Sequence, residues 1–463
     1  MRPAKEFAMK RLFFLLLILI MFTFQIFSYA SELTDPESDA ETAAESEEIA
    51  PELAETARNA VVYETLSGQI LFEKNIHERV PVASLTKIMT ALLVIEHGGF
   101  DELVTAKETA FFDITSDGST QNIVTGETMS VEDLLYCLMI SSANESSNIL
   151  AEYVSGSVEV FLEEMNARAR ALGCTDTNFA NTHGLPDDNH YSSAYDMMLI
   201  TQEAMKHPLF AEIANTTAKT IPPTNKTDRT RDLFTTNHLI STRIQPGYIY
   251  HLAMGVKTGY TSKAGYCLSS SAVNDGMSLI TIVLGCPRID DVTMSFIETK
   301  KLMEWAFDSF SYRQILNRVS IIDSVKVELG KDHSEVNVVP QRSMTALIPK
   351  DLDPEDIERR ITLPDSVTAP IAKEQILGQM VLSHNGTVYG TVPLVASFEV
   401  ELSAEENFME NVREAVNQEW IRYAVAAIIG IILLYAAVVI IYNYARRTQR
   451  VRGNYRGKKR RRR

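Results

Sequence analysis

The sequence has 463 residues, of which 45% are hydrophobic, so it is long enough for two or three domains that each bury a core. The formal charge is −16, yet the tail Arg446 to Arg463 holds eleven Lys or Arg and no acid, which leaves −27 on the residues before it. An acidic body with a basic end is not typical of a nucleic-acid binder, and it indicates two parts that lie in different compartments.

The N-terminal segment has the pattern of a secretory signal. Four basic residues between Arg2 and Arg11 precede an apolar run of sixteen residues, 12–27, and the small-x-small sequence Ser28-Tyr29-Ala30 follows it. Because a membrane span needs about 20 residues, we expect a cleaved signal peptide over 1–30 rather than an uncleaved anchor. Residues 31–56 contain ten acids and no base, which predicts a solvated, disordered linker.

The region 57–317 is predicted to be one domain of mixed helices and strands. Apolar residues alternate on either side of Ser67-Gly68, which predicts a β-hairpin. Helical spacing predicts several helices between 84 and 208, with Ser130 and Ser193 as N-caps and Pro208 as a stop. Strand-like runs follow, and Asp275-Gly276 between two of them is a strong hairpin signal. With a closing helix predicted over 295–310, this order of elements indicates an α+β fold in which helices flank an antiparallel sheet.

The C-terminal part changes character twice. Short strand-like runs separated by turn signals predict a small all-β domain over 318–402, and an amphipathic juxtamembrane helix is predicted over 403–422. The segment 423–442 has no charge and is long enough for one transmembrane helix, with aromatic residues at both ends. The basic tail 443–463 then predicts a cytoplasmic C-terminus, which places the body of the protein outside the cytoplasm in a single-pass membrane protein.

Three short motifs carry the prediction of an active site. Ser84 and Lys87 are three residues apart at the start of a predicted helix, a spacing that puts both side chains on one face. A Ser-x-x-Lys pair alone is weak, because a chain of this length contains it about once or twice by chance. Here Ser142-Ala143-Asn144 follows in a predicted loop between helices, and Lys257-Thr258-Gly259 follows on a predicted strand. The three motifs in this order are typical of penicillin-binding proteins and class A β-lactamases.

Other chemistry has no support in the sequence. The four cysteines form no CxxC pair, and HExxH, Gly-rich phosphate-loop and EF-hand patterns do not occur. We therefore expect neither a metal nor another cofactor. Spacing alone does not decide whether the cysteines pair in disulfides.

The motifs and their surroundings resemble the D-alanyl-D-alanine carboxypeptidases, which are low-molecular-mass penicillin-binding proteins. The resemblance is carried by "PVASLTKIMTALLVIEHG", "ANTHGLPDDNHYSSAYDMMLIT" and "GVKTGYTSKAGYCLSSSA", and it extends to "APIAKEQILGQMVL" in the β domain. It implies a β-lactamase/transpeptidase-like catalytic domain. It also implies a serine peptidase that removes the terminal D-alanine of peptidoglycan stem peptides and is acylated by β-lactams.

The resemblance also implies a role for each motif residue. Ser84 is the nucleophile, Lys87 is its base, and Ser142 transfers a proton to the leaving amine. On the substrate-binding side, Asn144 binds the substrate amide, and the terminal carboxylate is bound by Lys257 and Thr258. Gly259 permits close approach of the backbone, and the N–H groups of Ser84 and Tyr260 form the oxyanion hole. From the residues alone, a buried lysine beside a second cation is expected to lose its proton and so to act as a base.

Several positions depart from the family pattern or leave alternatives open. Glu145 stands where Asp is usual, and Ser141 or Ser146 are alternatives to Ser142 on spacing. An Arg that often holds the carboxylate near the last helix has no counterpart, and Arg288 is the nearest in sequence. His183 is predicted to be a hydrogen-bonded structural histidine.

Three rival functions share these motifs. A DD-endopeptidase has the same site, whereas a β-lactamase needs a second glutamate base in place of "THGLPDDNH". A non-enzymatic β-lactam sensor or wall-binding module needs a larger cytoplasmic domain than the basic tail provides. The expected partners are the peptidoglycan stem peptide, β-lactam antibiotics and, through the C-terminal helix, the membrane.

Overall fold

The computed structural model describes residues 53–115, 118–241, 243 and 246–459. The predicted signal peptide, nearly all of the acidic linker and the last four residues of the tail lie outside these residues. The chain divides into the units Met1–Glu55 and Thr56–Arg463, and the elements described below all lie in the second.

The strands are the following, in chain order: β1 Asn59–Glu64, β2 Gln69–Lys74, β3 Leu103–Thr105, β4 Thr128–Ser130, β5 Ala218–Ile221, β6 Arg231–Phe234, β7 Ala253–Thr261, β8 Gly265–Asn274, β9 Met277–Cys286, β10 Arg288–Ile289, β11 Val292–Thr293, β12 Phe310–Leu316, β13 Asp323–Glu328, β14 Glu335–Pro340, β15 Met344–Pro349, β16 Glu358–Thr362, β17 Ser366–Thr368, β18 Ile376–His384 and β19 Thr387–Ala396.

The α-helices are α1 Lys87–His97, α2 Val131–Ile140, α3 Asn144–Ser155, α4 Val158–Ala171, α5 Ala194–Met205, α6 Pro208–Asn215, α7 Met294–Ser309, α8 Ala404–Asn417 and α9 Glu419–Lys459. Single 3₁₀ turns occupy Ala83–Thr86, Glu108–Phe111, Pro246–Tyr248 and Pro354–Asp356.

The first sheet has five antiparallel strands in the order β2-β1-β9-β8-β7, so β7 lies at one edge. Its two faces pack against different helices, because successive side chains of a strand point to opposite sides. On β8, Cys267 joins the large core formed with helices α1 to α6, whereas Leu268 packs with Phe296 of α7. The fold is therefore α+β, with helices flanking an antiparallel sheet, as the order of elements predicted.

Local signals in the sequence explain where several helices begin and end. The side chain of Ser130 accepts a hydrogen bond from the backbone N–H of Asp133, and the side chain of Ser193 does the same for Asp196. Such N-caps satisfy backbone groups that have no partner inside the helix. The sequence predicts Pro208 as the stop after α5. In the structure Pro208 is also the first residue of α6, a position that proline favours.

The second sheet is a six-stranded sheet in the order β16-β18-β19-β14-β13-β17, with its own apolar core. A hairpin turn at Asn385-Gly386 joins β18 to β19. The strand β12, which lies before residue 317, pairs with β15 from the following region. This pairing links the helix α7 to the all-β part of the chain.

The C-terminal helix α9 contains an apolar stretch over Trp420–Arg446, which is long and apolar enough to cross a membrane. Its described side chains are exposed rather than buried in a protein core.

Candidate active site

Ser84 and Lys87 lie side by side at the start of α1. Ser84 is part of the 3₁₀ turn Ala83–Thr86, and Lys87 is the first residue of the α-helix that continues from it. The Nζ atom of Lys87 lies 3.0 Å from Oγ of Ser84. A turn of helix thus brings together the two residues that the Ser-x-x-Lys spacing predicted on one face.

The amine of Lys87 is enclosed by three oxygen atoms. Its Nζ donates hydrogen bonds to Oδ1 of Asn144 and to the carbonyl oxygen of His183, both at 2.7 Å, and Oγ of Ser84 is the third neighbour. A neutral amine has two hydrogens and one lone pair, so the two acceptors take both hydrogens. The lone pair then faces the hydroxyl of Ser84, which is the arrangement that a general base requires.

Burial and charge both favour the neutral form of Lys87. The side chain is completely buried, and this desolvation lowers its pKa well below the usual value. The cation of Lys257 lowers the pKa of Lys87 further, whereas the carboxylate of Glu145 opposes both effects. Burial also lowers the pKa of Lys257, to about 7.

The Lys-Thr-Gly motif lies on the edge strand β7, next to Ser84. A Cβ atom added to Gly259 would lie 3.0 Å from the backbone nitrogen of Ser84, so a side chain there would press against the turn that carries the serine. The hydroxyl of Thr258 hydrogen-bonds to that of Thr236. Tyr260, 56% exposed, stacks against Tyr266 with 4.3 Å between the ring centroids.

Ser142 lies in the connection between α2 and α3, as predicted, whereas Asn144 is the first residue of α3. The hydroxyl of Ser142 is buried and has no hydrogen-bond partner among the described residues. Ser142, the first residue of its motif, has φ +62°, and Ala83, which directly precedes Ser84, has φ +49°. Both residues therefore adopt a backbone conformation that is costly for residues other than glycine. Such strain is held by the surrounding structure and is found preferentially at functional sites.

One cavity of about 760 Å³ joins these motifs. Of the three serines left open by spacing, Ser142 lines this cavity, whereas Ser141 and Ser146 do not. Lys87 and Lys257 are buried and do not line the cavity, but each contacts a residue that does. Nζ of Lys87 contacts Oγ of Ser84, and Nζ of Lys257 donates a hydrogen bond to the backbone carbonyl of Thr258 at 3.0 Å. The lining residues include Ser84, Gly118, Ser119, Ser142, Asn144, Gly184, Leu185, Pro186, Thr236, His238, Thr258, Gly259, Tyr260, Tyr266, Arg288, Asp291, Thr293 and Phe296.

Some contributions to the site had no signal in the sequence. The carbonyl of His183 contacts Lys87, while the imidazole is buried with Nε2 3.0 Å from Oδ2 of Asp113, as expected for a structural histidine. Arg288 lines the cavity and forms an exposed ion pair with Asp291 at 3.2 Å. The contact between Lys87 and the backbone carbonyl of His183 depends on tertiary structure, and no spacing rule reports it.

A cluster that could in principle hold a metal lies away from the cavity, formed by Glu96, Glu203 and His207. The guanidinium of Arg168 already lies between the two carboxylates, at 2.6 Å from Glu96 and 2.8 Å from Glu203. The cluster is therefore compensated by a protein cation. All four cysteines are buried and free, so the possibility of a disulfide left open by the sequence is not realised in this structure.

Comparison with known proteins agrees with this arrangement. The family model described as D-alanyl-D-alanine carboxypeptidase matches residues 43–288, and that of the C-terminal domain of penicillin-binding protein 5 matches residues 310–402. D-alanyl-D-alanine carboxypeptidase DacF of Bacillus subtilis is 33% identical over 361 residues, which cover 78% of this chain and 90% of that protein. DacC of Escherichia coli is 32% identical over 74% of this chain and 84% of its own length.

Solved structures give the same result for the fold. The structure of penicillin-binding protein 5 from Haemophilus influenzae has a TM-score of 0.57 and 30% identity, and it covers 76% of this chain and 98% of that one. Penicillin-binding protein 6B from Escherichia coli has a TM-score of 0.56 and 27% identity, over 74% of this chain and 95% of its own. The fold, the order of the three motifs and the length of the match together place this chain in the D-alanyl-D-alanine carboxypeptidase family.

Proposed function

We propose that this protein is a serine-type D-Ala-D-Ala carboxypeptidase that removes the terminal D-alanine of peptidoglycan stem peptides. The observation that carries the proposal is the contact between the buried amine of Lys87 and the hydroxyl of Ser84, with both amine hydrogens accepted by other groups. This contact supplies a serine with the base that it needs to become a nucleophile.

The reaction proceeds in two halves through Ser84. In the first, Lys87 takes the proton of the Ser84 hydroxyl while Oγ attacks the carbonyl carbon of the penultimate D-alanine. The oxyanion is stabilised by the backbone N–H groups of Ser84 and Tyr260, each of which is worth about 3 kcal/mol of barrier. Ser142 passes a proton to the leaving nitrogen and takes the proton that Lys87 received, so that Lys87 is neutral again when the amide bond breaks and free D-alanine departs.

In the second half, water replaces the amine. Lys87 takes a proton from the water, whose oxygen attacks the acyl carbon, and the shortened peptide leaves as its carboxylate while Ser84 regains its proton. A β-lactam acylates the same serine, since its ring amide occupies the position of the scissile bond. We assign Asn144 to the substrate amide and the Thr258 hydroxyl, backed by the charge of Lys257 and by Gly259, to the terminal carboxylate.

Release of D-alanine from a peptide that ends in D-Ala-D-Ala tests this proposal, with the full-length protein in detergent and its Ser84→Ala variant. We expect wild type to release D-alanine and the variant to fall to the uncatalysed background, because the acyl-enzyme has no other oxygen on which to form. Labelled penicillin should attach to wild type and not to the variant. Penicillin labelling of Ser84 without D-alanine release would favour a DD-endopeptidase or a sensor, and neither event in folded protein would refute the proposal.

We also propose a domain organisation for the whole chain. It comprises a signal peptide 1–30, an acidic linker 31–56, a catalytic domain 57–317, an all-β domain 318–402, a juxtamembrane helix 403–422, a transmembrane helix 423–442 and a basic cytoplasmic tail 443–463. The two separate apolar cores and the exposed apolar stretch of α9 support this division. The catalytic domain then faces the peptidoglycan on the outer side of the cell membrane.

Removal of residues 419–463 tests the membrane anchor. We expect the full chain to stay in the membrane fraction after a high-salt and alkaline wash, because about 20 apolar residues insert effectively irreversibly. The truncated chain should appear in the soluble extracytoplasmic fraction with unchanged penicillin labelling. A truncated chain that stays in the washed membranes would show that another segment holds it there.

A further inference from the structure

Glu145, the departure from the family pattern, accepts several hydrogen bonds next to the site. It lies in the first turn of α3 and is buried, directly after Asn144. Its Oε1 atom accepts hydrogen bonds from the hydroxyl of Thr120 at 2.8 Å and from the backbone N–H of Gln121 at 2.7 Å, with the N–H of Ile123 at 3.5 Å. One carboxylate oxygen thus accepts hydrogen bonds from several groups of the short segment 120–123.

That segment forms part of the cavity wall. Gly118 and Ser119 line the cavity, and the carbonyl of Ser119 accepts a hydrogen bond from the backbone N–H of Asn144 at 2.9 Å. A Cβ atom added to Gly118 would lie 2.4 Å from Nδ2 of Asn144, so the amide of Asn144 rests directly against this glycine. The segment 118–123 therefore contacts the same Asn144 side chain whose Oδ1 accepts from Lys87.

We propose that Glu145 is a positioning residue that fastens the segment 118–123 to the first turn of α3 and thereby holds Asn144 in place against Lys87. This inference rests on the proposed function, because its consequence is for the geometry of the Ser84 reaction. Carboxylate acceptors form stronger hydrogen bonds than neutral ones, and an anion in the first turn of a helix is stabilised by the helix dipole.

The length of the side chain is the critical property. Aspartate is shorter than glutamate by one methylene, which withdraws the oxygen by about 1.5 Å. Contacts of 2.7 and 2.8 Å would then exceed hydrogen-bond range. Glutamine keeps the reach and the accepting oxygen, although it loses the charge. Aspartate, which is usual in the family at this position, should therefore hold the segment 118–123 less well than glutamine, although glutamine carries no charge.

Glu152 offers a matched control on the same helix. It is also a buried glutamate of α3, and it accepts a hydrogen bond from the hydroxyl of Thr109. It lies two turns further along and does not line the cavity. Its replacement removes an equivalent contact without touching the segment 118–123.

The test compares Glu145→Asp, Glu145→Ala, Glu145→Gln and Glu152→Ala with wild type, all as full-length protein in detergent. We expect Glu145→Asp and Glu145→Ala to lower kcat/KM for D-alanine release about 100-fold, mainly through kcat, since a displacement of about 1 Å has this effect. Glu145→Gln should stay within about tenfold of wild type, and Glu152→Ala within about twofold. Hydrogen exchange of residues 118–124 should accelerate in the Asp and Ala variants alone.

Hydrogen exchange tests the positioning role of Glu145 independently of the proposed function, because the exchange rate of an amide does not depend on enzymatic activity. If Glu145→Asp and Glu145→Ala leave the amides of Gln121 and Ile123 as protected as in wild type, Glu145 does not fasten the segment. Accelerated exchange with unchanged kcat would equally overturn its positioning role. If wild type itself releases no D-alanine, the proposed function fails, and the rate of penicillin attachment to Ser84 then reports on the position of Asn144.

Discussion

Replacing Lys87 with methionine is expected to lower kcat/KM for D-alanine release by about 10²–10⁴-fold, the range of a general base. Methionine has a similar length and removes the amine, so Oγ of Ser84 keeps its place and loses only the acceptor of its proton. Attachment of labelled penicillin should slow by a comparable factor, because it begins with the same proton transfer. Lys206→Met, at an exposed lysine that pairs with Glu203, is the control and should leave both rates unchanged.

The same variant should change how stability depends on pH. Burial and the charge of Lys257 lower the pKa of Lys87 in the folded protein, whereas in the unfolded chain it stays near 10.4. The unfolded state therefore binds more protons between these two values, and the free energy of unfolding of wild type rises with pH. This is opposite to a salt-bridged lysine, whose contribution is lost as pH rises.

The difference between wild type and Lys87→Met isolates this contribution, because every other titrating group is common to both proteins. We expect the free energy of unfolding of wild type to gain up to about 1.4 kcal/mol per pH unit over the variant as the pH rises toward about 10.4, over the range in which the unfolded chain holds the Lys87 proton and the folded protein does not. Urea unfolding at several pH values measures the slope. A difference that does not vary with pH would mean that Lys87 keeps its proton in the folded protein, and the proposed base would be lost.

Gly184→Ala is expected to remove nearly all activity and several kcal/mol of stability, although position 184 carries no reactive group. Gly184 has φ +92°, and a Cβ atom there would lie 1.9 Å from the carbonyl oxygen of Ala83 and 2.9 Å from the backbone nitrogen of Ser84. These are backbone atoms of the turn that presents the nucleophile, so the turn itself has to move. A shift of about 1 Å at reacting groups costs about 100-fold in rate.

The control variant Gly173→Ala distinguishes the steric overlap at position 184 from the free-energy cost of placing alanine at a positive φ. Gly173 has φ +89°, yet no atom lies within 4 Å of an added Cβ. It should lose about 1–2 kcal/mol from the unfavourable φ alone and keep wild-type penicillin attachment. Thermal unfolding and the rate of penicillin attachment measure both effects. If the two alanine variants behave alike, the close approach of Gly184 to Ala83 has no influence on Ser84.

Much of this architecture could be predicted from local patterns. The hairpin at Ser67-Gly68, the hairpin at Asp275-Gly276 and the N-caps Ser130 and Ser193 each depend on a few adjacent residues, and all are confirmed. The fold class follows from the order of these elements. The sequence pattern predicts Pro208 only as the end of α5, whereas Pro208 begins α6, because proline also favours the first turn of a helix.

The site was predictable only as a set of motifs. The spacing of Ser84 and Lys87 placed them on one face, yet it gave no sign that Ser84 lies in a 3₁₀ turn with Ala83 in the left-handed region. The carbonyl of His183 and the reach of Glu145 toward Gln121 join parts of the chain that are far apart in sequence. Contacts of this kind depend on how the elements pack, which no periodicity records.

The position of the Lys-Thr-Gly motif on the edge strand β7 has a consequence for solubility. An open edge is a template for pairing with any extended chain, including another copy, and proteins usually cover it or interrupt it. A strand that must accept a peptide in its cleft cannot be covered. A charged side chain that points inward from an edge strand discourages unwanted pairing, and Lys257 is a buried lysine on this strand. The lysine that we assign to the substrate carboxylate is thus also expected to protect the protein against self-association through the strand that carries it.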